Sequence, residues 1–248
     1  MKIGIIGGTG FENPEILHGI STMNVNTKWG KPSSDLLMGR IGDNEVVVIS
    51  RHGKKHAITP THVNNRANIM ALKEAGCTHI IATTACGSLR EEIKRGDIVF
   101  LDQFIDYTKH RVLSFSDDFE NGVIHTPMAD PFCEDLRKEL IKNAQLLNLN
   151  YHKTGTVITI EGPRFSTRAE SNMFRMFGAD VINMSTAPEA ILANEANIKY
   201  AAIAMSTDYD SWKTDEIPVT WDEVLKVFNQ NVNNVITLIV NTINNIKQ

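Results

Sequence analysis

Two carboxylates stand two residues apart in the segment TDYDSW, which begins at residue 207 and directly follows a strongly apolar run. In an extended chain, the side chains of Asp208 and Asp210 lie on one face. A carboxylic acid in a partly dry pocket has a raised pKa and can give its proton to a nitrogen base that leaves as an anion. A turn that contains two acidic residues and does no chemistry explains the spacing equally well.

A candidate oxyanion site begins at Arg51 and His52, which follow the apolar segment 46–50 at the carboxyl end of a predicted strand. Arginine there suits an oxyanion such as phosphate, although a single strand-end arginine is more often a surface group. Two further apolar segments run into hydroxyl-rich turns, at residues 84–88 and 183–186. Helix caps or plain turns would explain each one separately. Their shared placement after a strand favours one common site for phosphate and a sugar.

The glycine-rich stretch 7–10 follows the first predicted strand and can expose backbone N–H groups to an anion. A Rossmann fingerprint fails because the third glycine position holds Asn13, and the Gly-Lys-Ser/Thr ending of a Walker A loop is absent. A tight turn without a ligand is the competing interpretation. This loop therefore supports an anion site only together with the other segments.

An α/β framework must position these groups, since predicted strands and helices alternate along the chain. Apolar, β-branched runs predict strands over residues 2–6, 45–50, 79–84, 97–101, 154–160 and 200–205. Helices are predicted over residues 61–76, 131–147, 167–178 and 187–196. From Asp222 to Ile246, apolar residues recur every three or four positions, which predicts a long amphipathic helix with Asp222 near its N-cap. Because no repeat or linker marks a boundary, residues 1–248 are predicted to form a single domain.

The composition excludes several classes of function. With a net charge of -4, the chain lacks the basic field of a nucleic-acid-binding protein, so phosphate must be held by local donors. No run approaches the roughly 20 apolar residues that span a bilayer, and no His and Cys residues have zinc-ligand spacing. Cys77, Cys86 and Cys133 form no CxxC motif, and the chain opens directly into a strand-like run. We expect a cytoplasmic protein without a metal, a membrane partner or a nucleic-acid partner.

Seven blocks, in order, resemble the trimeric purine nucleoside phosphorylase family, in particular its methylthioadenosine-cleaving members: GIIGGTGF, RHGKKHAITPTHVNNRANI, TTACGSLREEIKRGDIV, HTPMADPFC, TIEGPRFSTRAES, INMSTAPEA and STDYDSWK. The block that contains TDYDSW resembles the adenine-reading version, since members that cleave inosine and guanosine carry asparagine in place of Asp208. The resemblance implies a twisted mixed sheet surrounded by helices. It also implies a homotrimer, or a hexamer of two trimers, and no cofactor, with inorganic phosphate as co-substrate.

The resemblance further implies a residue for each part of a nucleoside site. The residues expected at phosphate are Thr9, Arg51, His52, Ala85 and Ser185, with Thr84 between phosphate and sugar. Those expected at the ribose and the base are Met184, then Phe165, Ile182 and Asn183, with Thr207 orienting the base edge that Asp208 and Asp210 read. Those expected around the 5'-methylthio group are His56, His125, Trp221, Val224 and Leu225, with His125 reaching a neighbouring subunit.

Two departures from the family pattern stand out. Ser185 replaces the threonine usual in animal members, and the chain ends with its long helix, without their C-terminal extension. That extension helps to cover the 5' end, so we expect a broader tolerance of adenosine and other 5'-substituted nucleosides. Trp221, where a smaller residue is usual, would fill part of the gap.

The predicted reaction is phosphate-dependent cleavage of 5'-methylthioadenosine to adenine and 5-methylthioribose 1-phosphate. As the glycosidic bond stretches, the ribosyl group becomes cationic and the purine gains negative charge, so phosphate beneath C1' and a protonated Asp208 at N7 both lower the barrier. One alternative is a methylthioinosine or broader purine nucleoside phosphorylase, against which Asp208 and Asp210 argue. A non-enzymatic nucleotide-sensing module is the other.

Overall fold

Eleven strands join one mixed sheet within the residues that the computed structural model describes, namely 1–7, 16–118, 120, 125–216 and 220–246. The strands are β1 (Lys2–Gly7), β2 (His18–Met23), β3 (Leu36–Ile41), β4 (Asn44–Ser50), β5 (His79–Ser88), β6 (Ile98–Phe100), β7 (Gln103–Tyr107), β8 (Tyr151–His152), β9 (Thr156–Ile160), β10 (Val181–Asn183) and β11 (Lys199–Tyr209). The helices are α1 (Asn65–Glu74), α2 (Glu134–Leu146), α3 (Arg168–Met176), α4 (Thr186–Glu195) and α5 (Trp221–Asn245).

The sheet order is β2-β3-β4-β1-β5-β10-β9-β7, and a branch of β11, β6 and β8 joins it along β5. Strand β1 shows how both faces are covered, because its side chains alternate between two cores. Ile3 and Ile5 pack in a core that includes residues of α2 and α5, whereas Ile6 packs in a core with residues of α1 and α4. The predicted mixed sheet flanked by helices is confirmed.

Strand β5 is where the sheet divides. Its first half, from His79 to Ala82, pairs with β1, and its last two residues, Gly87 and Ser88, pair with β10. Residues 83–86 lie between these two ladders, where none of the described strands pairs with that edge, while β11 pairs along the other edge. Crevices in α/β sheets form where neighbouring strands diverge in this way.

Two strands run further than the sequence predicts. Strand β5 extends past the predicted residue 84 to Ser88, and β11 extends past residue 205 to Tyr209, because the two strands continue to pair with each other. Asp208 therefore lies inside a strand and not in a turn after it. The register shifts between Ser206 and Asp208, which is a β-bulge of the kind that re-aims side chains beside active sites.

The start of α5 agrees with the prediction, which places Asp222 near the N-cap. The N-cap itself is Thr220, whose side chain accepts a hydrogen bond from the backbone N–H of Glu223. Asp222 lies in the first turn, where its negative charge interacts favourably with the helix dipole. None of the described helices is both long enough and apolar enough to cross a membrane.

Candidate active site

A cavity lies beside residues 83–86 of β5, at the carboxyl ends of β4, β5 and β11. It brings together most of the residues that the sequence predicts for a site: Arg51, His52, His56, Thr84, Ala85, Phe165, Ile182, Asn183, Met184, Ser185, Thr207, Asp208, Asp210, Trp221 and Val224. Seven further residues line the cavity, and the sequence predicts an individual role for none of them: Pro60, Thr83, Cys86, Gly87, Ile160, Ser166 and Phe228.

One end of the cavity is built around the buried guanidinium of Arg51. Its Nε and Nη2 donate to the carboxylate of Glu189 at 2.5 and 3.0 Å, and its Nη1 donates to the carbonyl of Thr83 at 2.8 Å. Burial lowers the pKa of Arg51, but Glu189 outweighs that effect and raises it above its ordinary value. A guanidinium has five N–H bonds, so two remain for an oxyanion once the described partners are served.

Glu189 is a functional residue that sequence reasoning missed. It lies in the first turn of α4, is 1% exposed, and also accepts a hydrogen bond from the hydroxyl of Tyr200 at 2.8 Å. It thereby fixes the plane of the Arg51 side chain. Nothing in the local sequence reveals this role, since the partners are 138 residues apart.

A cluster of hydroxyl groups completes this end. The Thr84 and Ser185 hydroxyl oxygens are 3.2 Å apart, and the Asn183 amide donates to Thr84 at 3.2 Å. The Asn183 carbonyl oxygen accepts from Thr159 at 2.9 Å. Asn183, which the resemblance places at the border of the base, thus also braces the hydroxyl groups beside Arg51. Ser185 is also the N-cap residue of α4.

The opposite end of the cavity is acidic and buried. Thr207 donates from its hydroxyl to Oδ1 of Asp208 at 2.8 Å, which leaves Oδ2 for a ligand. Burial raises the pKa of Asp208 to about 7, with the Thr207 hydrogen bond opposing and the nearby Asp210 adding to the rise. Burial also raises the pKa of Asp210. At neutral pH, Asp208 is therefore poised to hold and release a proton.

Two further features keep the acid pair available to a ligand. Oδ2 of Asp210 is buried without a hydrogen-bond partner in the described part of the chain, so it is an acceptor that a ligand N–H can satisfy. A Cβ at Gly87 would lie 3.0 Å from Oδ2 of Asp208 and 3.3 Å from Cβ of Asp210. Glycine at this position therefore leaves open the space that the two carboxyl groups face.

Glu161 fixes the wall that carries Phe165. Its carboxylate accepts from the hydroxyl of Thr61 at 2.6 Å, from Nε of Arg111 at 2.8 Å and from the backbone N–H groups of Lys109 and His110. Burial opposes the charge of Glu161, but these hydrogen bonds lower its pKa to about 2. The wall is thereby tied to two other segments of the chain.

Helix α5 closes the cavity near the aromatic rings of His56 and Trp221, whose centroids are 5.3 Å apart. Trp221, Val224 and Phe228 line the cavity at positions i, i+3 and i+7, which share one helix face. Phe228 belongs to the apolar stripe of the sequence, and this spacing would have found it. Leu225 is half-buried and does not line the cavity.

Two other predicted site residues lie apart from the cavity or beyond description. His125 is exposed and is not among the residues that line the cavity. Thr9 lies outside the described residues. The described residues by themselves can hold an oxyanion at one end and a nitrogen base at the other, with Met184 and Ile182 lining the space between.

Comparison with known proteins agrees with this geometry. Residues 2–244 match the phosphorylase superfamily. The chain is 53% identical to the S-methyl-5'-thioadenosine phosphorylase of Danio rerio, covering 100% of this chain and 90% of that protein. It is 54% identical to the Xenopus tropicalis protein of the same name, covering 98% and 88%.

Solved structures give the same result. The methylthioadenosine phosphorylase of Schistosoma mansoni in complex with adenine has a TM-score of 0.94 and 43% identity, covering 98% of this chain and 91% of that one. A mutant of the adenosine/methylthioadenosine phosphorylase from the same organism, in complex with methylthioadenosine, has a TM-score of 0.92 and 43% identity, covering 98% and 90%.

Proposed function

The chain belongs to the phosphorylase superfamily and cleaves 5'-methylthioadenosine with phosphate, and we propose that the two ends of its cavity divide this reaction between them. The observation that carries the proposal is a buried carboxyl group of raised pKa at one end and a buried arginine at the other. Such an arrangement stabilises both charges that develop as the glycosidic bond breaks.

At the oxyanion end, phosphate accepts hydrogen bonds from the two remaining guanidinium N–H groups of Arg51 and from the hydroxyl group of Ser185. The hydroxyl of Thr84 donates to the carbonyl of Ala85 at 2.9 Å and turns from it to donate to phosphate. An unprotonated phosphate oxygen attacks C1' of the ribosyl group, and the C1'–N9 bond breaks. The bonding pair leaves with adenine, and the products are adenine and 5-methylthioribose 1-phosphate. Holding phosphate below C1' makes the attack intramolecular, which is worth several orders of magnitude in rate.

At the acidic end, Asp208 donates its proton from Oδ2 to N7 of the leaving adenine, so the base departs neutral. Oδ2 of Asp210 accepts from the 6-amino group. A 6-oxo purine would place its own acceptor against Asp210, which disfavours hypoxanthine and guanine. This contact supports methylthioadenosine over methylthioinosine.

The test is to incubate the purified chain with methylthioadenosine, with and without phosphate, and to follow adenine and the sugar phosphate by chromatography. We expect both products in equal amounts, and only with phosphate present. Adenine formed equally well without phosphate would indicate a nucleosidase. Ligand binding without either product would indicate a nucleotide-sensing protein.

We also infer three properties of the whole protein. Residues 1–248 form one domain, a proposal supported by the single sheet that the described strands share. The chain assembles as a homotrimer or a pair of trimers, which is supported by an exposed His125 that can serve a neighbour's site. Light scattering of the purified chain tests the assembly. A cytoplasmic location fits the free thiols of Cys77 and Cys86, whose pKa values burial raises.

A further inference from the structure

His52 lines the oxyanion end of the cavity, and one of its ring nitrogens has a fixed role. Nδ1 lies 2.8 Å from the backbone carbonyl oxygen of Ile58. A carbonyl oxygen can only accept, so Nδ1 carries the ring proton. In the neutral ring, Nε2 therefore presents a lone pair and accepts hydrogen bonds.

The ring is held in this orientation by its surroundings. The backbone N–H of Ile58 donates to the carbonyl of His52 at 3.1 Å, which keeps Ile58 beside the ring. The His56 ring lies against it, with the centroids 4.4 Å apart. A flip of the His52 ring would break the hydrogen bond from Nδ1.

The groups around His52 oppose a positive charge on it. Burial, together with the charges of Arg51, His56 and Arg111, lowers the pKa of His52 to about 4 despite the opposing hydrogen bond to Ile58. The positive charge of Arg51 is itself balanced by Glu189. The described groups thus offer phosphate a neutral histidine and an arginine that is already paired.

We propose that phosphate binds with its protonated oxygen facing Nε2 of His52, so that the P–OH group donates a hydrogen bond to the ring. Arg51 and the hydroxyl groups then hold the unprotonated oxygens, one of which attacks C1'. The proposal rests on the proposed function and specifies the form of phosphate that the site selects. A fully deprotonated oxyanion would instead set its lone pair against that of Nε2.

The proton balance of the reaction follows. Dianionic phosphate keeps its one proton while another oxygen forms the bond to C1', so the sugar phosphate first forms as a monoanion. Adenine takes the proton of Asp208, which becomes a carboxylate. The sugar phosphate then releases its proton to solvent while Asp208 takes one up, and the enzyme returns to its starting state.

Sulfate distinguishes binding of a protonated oxyanion from binding of a fully deprotonated one, because it has the shape of phosphate but no proton at neutral pH. Sulfate can bind well only if His52 takes up a proton. We expect its dissociation constant, measured by titration calorimetry at constant ionic strength, to rise about tenfold per pH unit and about 100-fold between pH 6 and pH 8. The dissociation constant of phosphate should change by less than about tenfold over the same range.

Two variants separate His52 from the other groups that titrate. Asp208→Asn removes the ionisation of Asp208 and should retain the steep pH dependence of sulfate binding. His52→Gln supplies an amide N–H donor at any pH and should abolish it. If His52→Gln fails to fold, calorimetry of the unaltered chain in two buffers of different ionisation enthalpy counts the protons directly, with about one taken up per sulfate expected at pH 7.5 and far fewer per phosphate.

Sulfate affinity that stays constant from pH 6 to pH 8 in the unaltered chain and in Asp208→Asn would overturn the proposal. So would equal proton uptake by sulfate and phosphate. Failure of the proposed function is a different result, since it appears as methylthioadenosine left intact in the presence of phosphate.

Discussion

The two ends of the cavity treat buried charge in opposite ways. At the oxyanion end, the charge of Arg51 is kept, because the carboxylate of Glu189 lies against it. At the acidic end, the charge of Asp208 is suppressed, because burial raises its pKa to about 7 and Asp210 stands beside it. The ion pair with Glu189 stabilises the charged form of Arg51, whereas burial stabilises the protonated form of Asp208.

This difference shows what each end needs from its ligand. The oxyanion end has N–H groups on Arg51 that are left for a ligand, and a bound anion would accept hydrogen bonds from them. The acidic end has a proton to give and an acceptor, Oδ2 of Asp210, to which no described residue donates a hydrogen bond. Phosphate, an anion, and the basic purine together satisfy both ends. A variant that loses one end should therefore differ in its defects from a variant that loses the other.

The largest expected effect comes from Asp208→Asn, which removes the proton donor and leaves the shape. General acid catalysis is typically worth about 10²–10⁴-fold in rate, and we expect kcat on methylthioadenosine to fall within that range. Because an amide N–H can donate to a 6-oxo group, kcat/KM on methylthioinosine should fall far less. The ratio of the two kcat/KM values is the measurement.

If Asp208→Asn left that ratio unchanged, the acidic end would have no part in base protonation. Glu91→Gln serves as a control, since Glu91 is an exposed carboxylate that pairs with Lys213. It should leave both rates as they are.

Glu189→Gln should break the oxyanion end through folding as well as binding. Removing one partner of a buried ion pair leaves the other charge uncompensated, which costs about 3–5 kcal/mol. We expect a loss of this size in the free energy of unfolding, measured with urea, together with a raised KM for phosphate. Glu195→Gln, in the same helix, should lose only about 1 kcal/mol, because Glu195 accepts hydrogen bonds from Ser114 and Phe115 without an ion pair there. Equal losses for the two variants would contradict the role of Glu189.

The pH dependence sharpens the comparison with a smaller effect. Catalysis needs the protonated form of Asp208, so kcat should fall about tenfold per pH unit above about 7. Asp208 should contribute to stability in the same direction. In the unfolded chain an aspartate loses its proton near pH 4, so between about pH 4 and 7 only the native state holds it, and the contribution of Asp208 to the free energy of unfolding falls as pH rises. The lowered pKa of His52 acts in the opposite direction between about pH 4 and 6.5, so the contribution of Asp208 is measured as the difference between the unaltered chain and Asp208→Asn. The fall in kcat should disappear in Asp208→Asn, and a flat kcat profile from pH 6 to 9 in the unaltered chain would place the proton elsewhere.

The smallest effect concerns the helix beside these two ends. Val224→Thr keeps the shape of a side chain that lines the cavity but adds a hydroxyl group, so the preference for methylthioadenosine over adenosine should fall. One such contact is worth about 1–3 kcal/mol, and the ratio of kcat/KM values measures it. Leu225→Gln is the matched control and should leave the ratio unchanged, because Leu225 does not line the cavity. If Leu225→Gln lowered the ratio and Val224→Thr did not, the face of α5 that carries Leu225 would be the one that contacts the substrate.

The sequence predicts the framework of this molecule better than the details of its site. The buried strands and the helices follow from apolar periodicity, and the family follows from the blocks that carry the chemistry. The ends of β5 and β11 were missed because their hydroxyl and carboxyl groups are typical of turns, whereas pairing between the two strands keeps them extended.

The exposed strand β2 was not predicted, because it has no apolar alternation. The other features that the sequence does not predict depend on contacts between distant residues. Glu189 shows no sign of its partner, because Arg51 meets it only in the folded chain. The motif that contains Asn183 gives no sign that its amide hydrogen-bonds to the hydroxyl groups of Thr84 and Thr159. Roles that rest on one motif were predicted, and roles that rest on two distant segments were not.

The β-bulge between Ser206 and Asp208 restricts how this site can change over generations. Thr207 is the extra residue, since Ser206 lies opposite Cys86 and Asp208 lies opposite Gly87. An insertion or deletion here would change the local twist that aims both Asp208 and Asp210, whereas point substitutions leave the two positions where they are. A lineage that exchanges one purine for another must therefore do so by replacing side chains one at a time, with the strand register held constant.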